Sequence, residues 1–154
     1  MTKTEQTKLI RDIIADNRVT LVFHPVLSVK RRGIVGVEAL PEAVTDGGRI
    51  SYAALHAMAM AKGLTVDLDR FLRQKALEGL EPYVAEDVRV RNAVLEALLN
   101  DSDPRIRTAS INILEPVEAD TSVRQVLYSV STSDESPQIR NVSRQVLSRV
   151  PEIQ

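Results

Sequence analysis

"VRNAVLEALLNDSDPRIRTASINILEPV" (residues 90–117) decides the architecture of this chain, because the chain says it twice. Shifted by 33 residues, it lies over "VRQVLYSVSTSDESPQIRNVSRQVLSRV" (123–150). Val90, Arg91, Asp101, Pro104, Ile106, Arg107, Ser110, Leu114 and Val117 meet identical residues, and Asp87 meets Asp120 just upstream. Matches at one fixed offset, gathered at turn and apolar positions, mark a repeat array. Each unit, over about 86–118 and 119–151, spells two helices. Val90, Val94, Ala97 and Leu98 share one helical face, as do Ile106, Ala109, Ile113 and Val117. Between them, Asp103 or Ser136 can cap a helix whose first position is Pro104 or Pro137, where no N–H is missed. Pro116 ends the second helix of the first unit. One helix pair cannot bury its apolar face alone, so the units must stack.

The turn reads Asp103-Pro104-Arg105-Ile106-Arg107 and, with serine for aspartate, Ser136-Pro137-Gln138-Ile139-Arg140. This D-P-x-I-R pattern between helices resembles HEAT-type repeats over 86–151. Leu80-Glu81-Pro82 echoes Leu114-Glu115-Pro116, so a helix at 68–81 fits as the second helix of an earlier half-unit. The resemblance implies an α-solenoid that serves as a protein-binding scaffold. It also implies that Arg107 and Arg140 pair with a turn acid of the adjacent repeat. The expected partner-binding residues are polar ones at helical spacing on the second helices. These are Arg105, Thr108 and Asn112 in the first unit, with Gln138, Asn141 and Gln145 in the second.

The first half is built differently. Residues 3–17 read as a helix ending before "DNR". Two strand-like runs follow, Val19–Val29 and Ile34–Leu40, rich in Val, Ile and Leu; the first is apolar on both faces from Leu21 to Phe23, so its burial on both sides is expected. "KRRG" offers Gly33 for a tight hairpin turn. "PEAVTDGGRI" reads as a loop, with a turn signal at 46–48, leading to Ser51 as cap of a helix over 52–62 stopped by Gly63. A last helix spans about 68–80.

The run "FHPVLSVKRRGIVGVEAL" and the later "GGRISYAALHAMAMAKGLTVDLDRFLRQKAL" resemble the start of EAL domains, the cyclic-di-GMP phosphodiesterases, over about residues 8–80. The resemblance implies the opening of a (β/α)8 barrel, with Glu38 as a metal-binding glutamate at the end of strand two. Its motif continues E-A-L-x-R, with the arginine on substrate phosphate; this chain has Glu38-Ala39-Leu40-Pro41-Glu42, an acid where an anion should be held. His24 stands where the family has glutamine. Two-metal phosphodiester hydrolysis needs several carboxylates converging on ions about 3.5–4 Å apart. The family supplies those from later strands, together with a lysine. Here helix repeats follow residue 80, and no lysine lies beyond Lys75. A barrel of about 250 residues does not fit in 154. Catalysis by this chain is not expected, and Glu38 is a vestigial metal candidate only.

Composition narrows the partners. Residues 1–85 carry 12 basic and 10 acidic side chains and residues 86–154 carry 8 and 11, so neither half is a basic footprint for nucleic acid. Aromatics, at 3%, are too few for a base-stacking platform. No apolar run reaches membrane-spanning length, the N-terminus lacks a secretory signal pattern, and there is no cysteine, so a cytoplasmic location is expected. His24 and His56 lack a metal-ligand spacing. Met58 and Met60 cannot share one helix face, and a methionine there fills a core gap. "KRR" (30–32) reads as a solvated hairpin tip.

These readings give a mostly α protein: a small α+β cap with a two-stranded β element over 1–64, then a short HEAT-like α-solenoid over 65–154. The expected function is a non-catalytic protein-binding or scaffold module without a cofactor. An isolated two-stranded hairpin is marginal in water, so the strands must lie on helices 4–16 and 52–62 or pair with another copy, and an exposed edge would favour a homodimer through the β element. The alternative is a degenerate EAL-derived cyclic-di-GMP sensor without hydrolytic activity. A third reading is a chimeric or designed chain with no evolved function.

Overall fold

The computed structural model describes residues 2–149, so the end of the second repeat unit, 150–151, lies outside the described residues. The chain is mostly α-helical with one small antiparallel sheet. It forms two compact modules, Met1–Ala76 and Leu77–Gln154.

In the N-terminal module, α1 (Lys3–Ala15) opens with a reciprocal capping box. Thr2 Oγ1 accepts from Glu5 N–H at 3.3 Å, while Thr2 N–H donates to Glu5 Oε2 at 2.6 Å. It closes on Asn17 in the left-handed region (φ 55°), as Arg18 N–H returns to Ile13 O at 2.9 Å. Strands β1 (Val19–Ser28), β2 (Gly33–Thr45) and β3 (Gly48–Ser51) follow in sheet order β1-β2-β3, both pairings antiparallel. The sheet thus has three strands rather than two, because "PEAVTDGGRI" is not a loop. Pro41 and Ala43 are buried while Val44 is exposed, an alternation that carries β2 on to Thr45. Asp46-Gly47 then makes a two-residue hairpin turn, with Gly48 at φ 113° and Thr45 Oγ1 donating to Gly48 O at 2.8 Å.

At the first hairpin tip the left-handed residue is Arg32 (φ 48°), not Gly33. Burial of β1 on both sides does not occur. Val19 is buried, but Phe23 is 52% exposed and Leu27 67% exposed. The half of the hairpin nearer its tip extends past the module's core.

Helix α2 (Tyr52–Met60) is capped by Ser51, whose Oγ accepts from Ala54 N–H at 3.4 Å. It ends through Gly63 (φ 67°), with Leu64 N–H on Ala59 O at 2.9 Å and Gly63 N–H on Met60 O at 3.3 Å. Helix α3 (Thr65–Leu80) follows. Ile10, Ile13, Val19, Ala43, Leu55, Ala59, Leu64 and Leu68 form this module's core, with Met58 packed against it.

The division between the two compact modules falls inside α3, at 76/77. The helix serves two cores: Phe71 and Leu72 pack on the first, Leu77 and Leu80 belong with the second.

The C-terminal module contains α4 (Val88–Asn100), α5 (Pro104–Leu114), α6 (Thr121–Ser133) and α7 (Pro137–Arg149). Helix α4 packs on α5 and α6 on α7, and the two pairs stack with α4 on α6 and α5 on α7. Asp87, Asp103 and Asp120 cap α4, α5 and α6 by accepting backbone N–H bonds at 2.8–2.9 Å. Ser136 does not cap α7 through its hydroxyl; instead its N–H donates to Asp134 Oδ1 at 2.8 Å, as Asp103 N–H does to Asp101 Oδ1. After Leu80 and after Leu114 the chain makes the same single 3₁₀ turn, Glu81–Tyr83 and Glu115–Val117, so the Leu-Glu-Pro echo is a shared helix ending. Leu98, Ile106, Ile111, Leu114, Val123, Leu127 and Ile139 are central to this module's core.

Candidate protein-interaction surface

The six polar residues chosen from sequence fall on two helices that lie side by side. Arg105, Thr108 and Asn112 occupy one stripe of α5; Gln138, Asn141 and Gln145 occupy the equivalent stripe of α7. Five are exposed. Thr108 is half-buried, and its hydroxyl donates to Pro104 O at 2.8 Å, within its own helix. Asn141 Oδ1 accepts from Arg144 at 3.2 Å. The stripe therefore presents long, hydrogen-bonding side chains that make few bonds inside the molecule.

What aligns the stripes is a pair of arginine clamps between the two helix pairs. Arg107, 5% exposed, gives Nη1 to Asp101 O at 2.8 Å. Its Nε and Nη2 reach both oxygens of Asp134 at 3.0 Å, and Nη2 also reaches Glu135 at 3.2 Å. The hydrogen bond to Asp134 pushes the Arg107 pKa above its ordinary value, against the opposing effect of burial. Arg91 joins the same two helix pairs, from α4 to the cap of α6. It donates to Val84 O at 3.1 Å and Ala85 O at 2.9 Å on its own side, and to Asp120 at 2.7 Å on the next pair. The Arg107–Asp134 pair is bidentate and buried, and such a pair sets register as well as energy; Arg91 adds a single bond to Asp120. Arg107 thus meets the adjacent-pair acid expected of it. Arg140 does not: it donates to the backbone oxygens of Asp134 and Glu135, and among the described residues it meets no carboxylate.

Asp87 is a perturbed carboxyl on the same module. Its bonds from the Arg89 side chain and backbone lower its pKa from 3.8 to about 2.

The EAL-like segment assembles no comparable site. Glu38 is exposed on β2, facing His24 across the β1–β2 ladder. Glu42, at the family's arginine position, accepts from Arg49 of β3 at 2.8 Å. It is tied into the sheet and carries the wrong charge for a phosphate. Among the described residues no group of three or more His, Cys, Asp or Glu side chains could hold a metal ion. His56 sits half-buried beside Tyr52, their ring centres 5.5 Å apart. No helix among the described residues is long and apolar enough to cross a membrane.

No protein-family model matches the sequence, and no curated protein matches it. Solved structures do match in fold. The apo form of Vibrio cholerae LapD S helix-GGDEF-EAL aligns with 97% of this chain and 48% of its own, at TM-score 0.50 and 10% identity. The form of the same protein bound to c-di-GMP aligns with 97% and 36%, at TM-score 0.49 and 12% identity. The chain thus spans about half or less of these structures. At such identity the likeness concerns fold alone.

Proposed function

We propose that this chain is a non-catalytic protein-binding module, a short HEAT-like array that offers the α5–α7 face to another protein. The observation that carries the reading is the alignment of the two polar stripes by the Arg107–Asp134 and Arg91–Asp120 clamps. Rigid, repeated presentation of exposed polar side chains is how stacked helix pairs recognise partners. The charge and position of Glu42 speak against phosphodiester chemistry. The test is capture from a lysate by immobilised chain, using an Arg105→Glu, Asn112→Ala double variant. The module is expected to lose its specific partner without a lower melting temperature; undiminished capture would remove the α5–α7 face from the account.

A homodimer through the sheet edge belongs to the same reading. Strand β1 is an edge strand that contains Pro25 and exposes Phe23, Val26, Leu27 and the neighbouring Val29. Sedimentation at high micromolar concentration should give twice the chain mass, and the chain mass for Leu27→Lys. A single-chain mass for the wild type would end the dimer reading.

The second functional reading is a cyclic-di-GMP sensor without hydrolytic activity. The E-A-L run favours it, together with the fold likeness to the LapD S helix-GGDEF-EAL chain. Calorimetry with the nucleotide, with and without magnesium, decides it: absence of heat and of any thermal shift removes it.

A further inference from the structure

The outer end of the α6–α7 pair differs in chemistry from the surface it repeats. At the 33-residue offset, Arg91, Leu95, Arg107 and Ile111 of the first pair correspond to Arg124, Tyr128, Arg140 and Arg144 of the second. In the first pair Arg91 and Arg107 reach across to the second pair. Leu95 and Ile111, one helical turn further on the same faces, are 7% and 0% exposed. By the same geometry the second pair presents Arg124 and Tyr128 on α6, and Arg140 and Arg144 on α7, to whatever lies beyond it. Tyr128 is 67% exposed where Leu95 is buried, and Arg144 is exposed where Ile111 is buried.

Two apolar stacking positions have thus become tyrosine and arginine, so this face is not built to receive another apolar helix pair. A merely solvated outer surface needs only polar side chains, which mixed charges would supply. Here the charges are of one sign. Among the described residues Arg124, Arg140 and Arg144 have no carboxylate partner, although residues 86–154 carry more acids than bases. The nearby acids are engaged elsewhere: Asp120 holds Arg91, and Asp134 and Glu135 hold Arg107. Arg140 already uses Nη1 on backbone oxygens, as Arg107 does, which leaves Nε and Nη2 for the role they play in Arg107, receiving a carboxylate.

We infer that this end is a second docking surface, whose occupant is an acidic peptide segment of another protein. Its carboxylates meet Arg124, Arg140 and Arg144, and an apolar side chain covers Tyr128. Arginine and tyrosine are the residues that dominate such interfaces. The surface adjoins the α5–α7 stripe at the Arg144–Asn141 bond but uses different side chains.

The probe is a fluorescein-labelled peptide of glutamate and leucine, titrated by anisotropy against the full chain at low and at physiological salt. Wild type should bind saturably and more weakly as salt rises. Arg124→Glu with Arg144→Glu should weaken binding about tenfold or more at unchanged melting temperature, since neither side chain bonds across the core. Arg105→Glu should leave it unchanged. Amide shifts of labelled wild type should move at Arg124, Tyr128, Arg140 and Arg144. Equal binding by the double variant, shifts confined to other surfaces, no binding at low salt, or peptide-independent doubling of mass that the double variant abolishes would each overturn the proposal.

Discussion

Arg107 shows how one side chain can set the register of two helix pairs. It and Asp134 are both almost fully buried, so truncation leaves a charge without its partner. Arg107→Ala should cost about 3–5 kcal/mol, read from urea unfolding, whereas Arg140→Ala, with backbone acceptors only, should cost about 1 kcal/mol. Asp87 gives a pH signature. Its pKa is lowered on folding, so its contribution is complete above the ordinary carboxylate value and disappears as pH falls from near 4 through about 2. Asp87→Asn should flatten that part of the acid limb in melting temperature against pH; an unchanged limb would contradict the assignment. Ser143 is the counterpart of Ser110, whose hydroxyl donates to Ile106 O at 3.0 Å, yet the Ser143 hydroxyl is buried without a bond among the described residues. Ser143→Ala should therefore be neutral or stabilising by up to about 1 kcal/mol, and Ser110→Ala destabilising by a similar amount. The Arg107 clamp was legible in sequence because that arginine and the turn acids recur at one offset; the Arg91–Asp120 clamp was not read there. The missing carboxylate at Arg140 was not legible either, since among the described residues no further helix pair lies beyond α7 to supply one.

At the scale of elements, caps and stops carried most of the information. Ser51, Asp103 with Pro104, Gly63 and Pro116 mark the ends they were expected to mark, because each answers a backbone need that is local. Gly63 holds a left-handed backbone, and Gly63→Ala should cost about 1–2 kcal/mol by thermal unfolding. Strand β3 escaped because a strand of four residues has too short an alternation to stand out, although Asp46-Gly47 was a hairpin signal. The exposure of β1 escaped for a different reason. An apolar run states that a strand avoids water, not what covers it, and here Phe23 and Leu27 reach past the core. The positive φ at Arg32 shows that a glycine near a tip need not be the residue that turns it.

At the scale of the molecule, the mostly helical class and the two kinds of construction followed from the 33-residue repeat and from the strand runs before it. Helix α3 carries apolar residues for two cores, with no glycine or proline at 76/77 to mark the division. Of the candidate surface, the α5 and α7 stripes were readable from helical spacing, and their side-by-side placement required the stacking of the pairs. The end face with Tyr128 and Arg144 could have been found by asking where the two repeat units differ rather than where they agree. The central claim is that this chain binds protein and performs no nucleotide chemistry. Its most direct test is titration calorimetry with cyclic-di-GMP in magnesium buffer, followed by analysis of the nucleotide for cleavage. The account predicts no saturable heat and intact nucleotide; saturable binding with a linear dinucleotide product would contradict it.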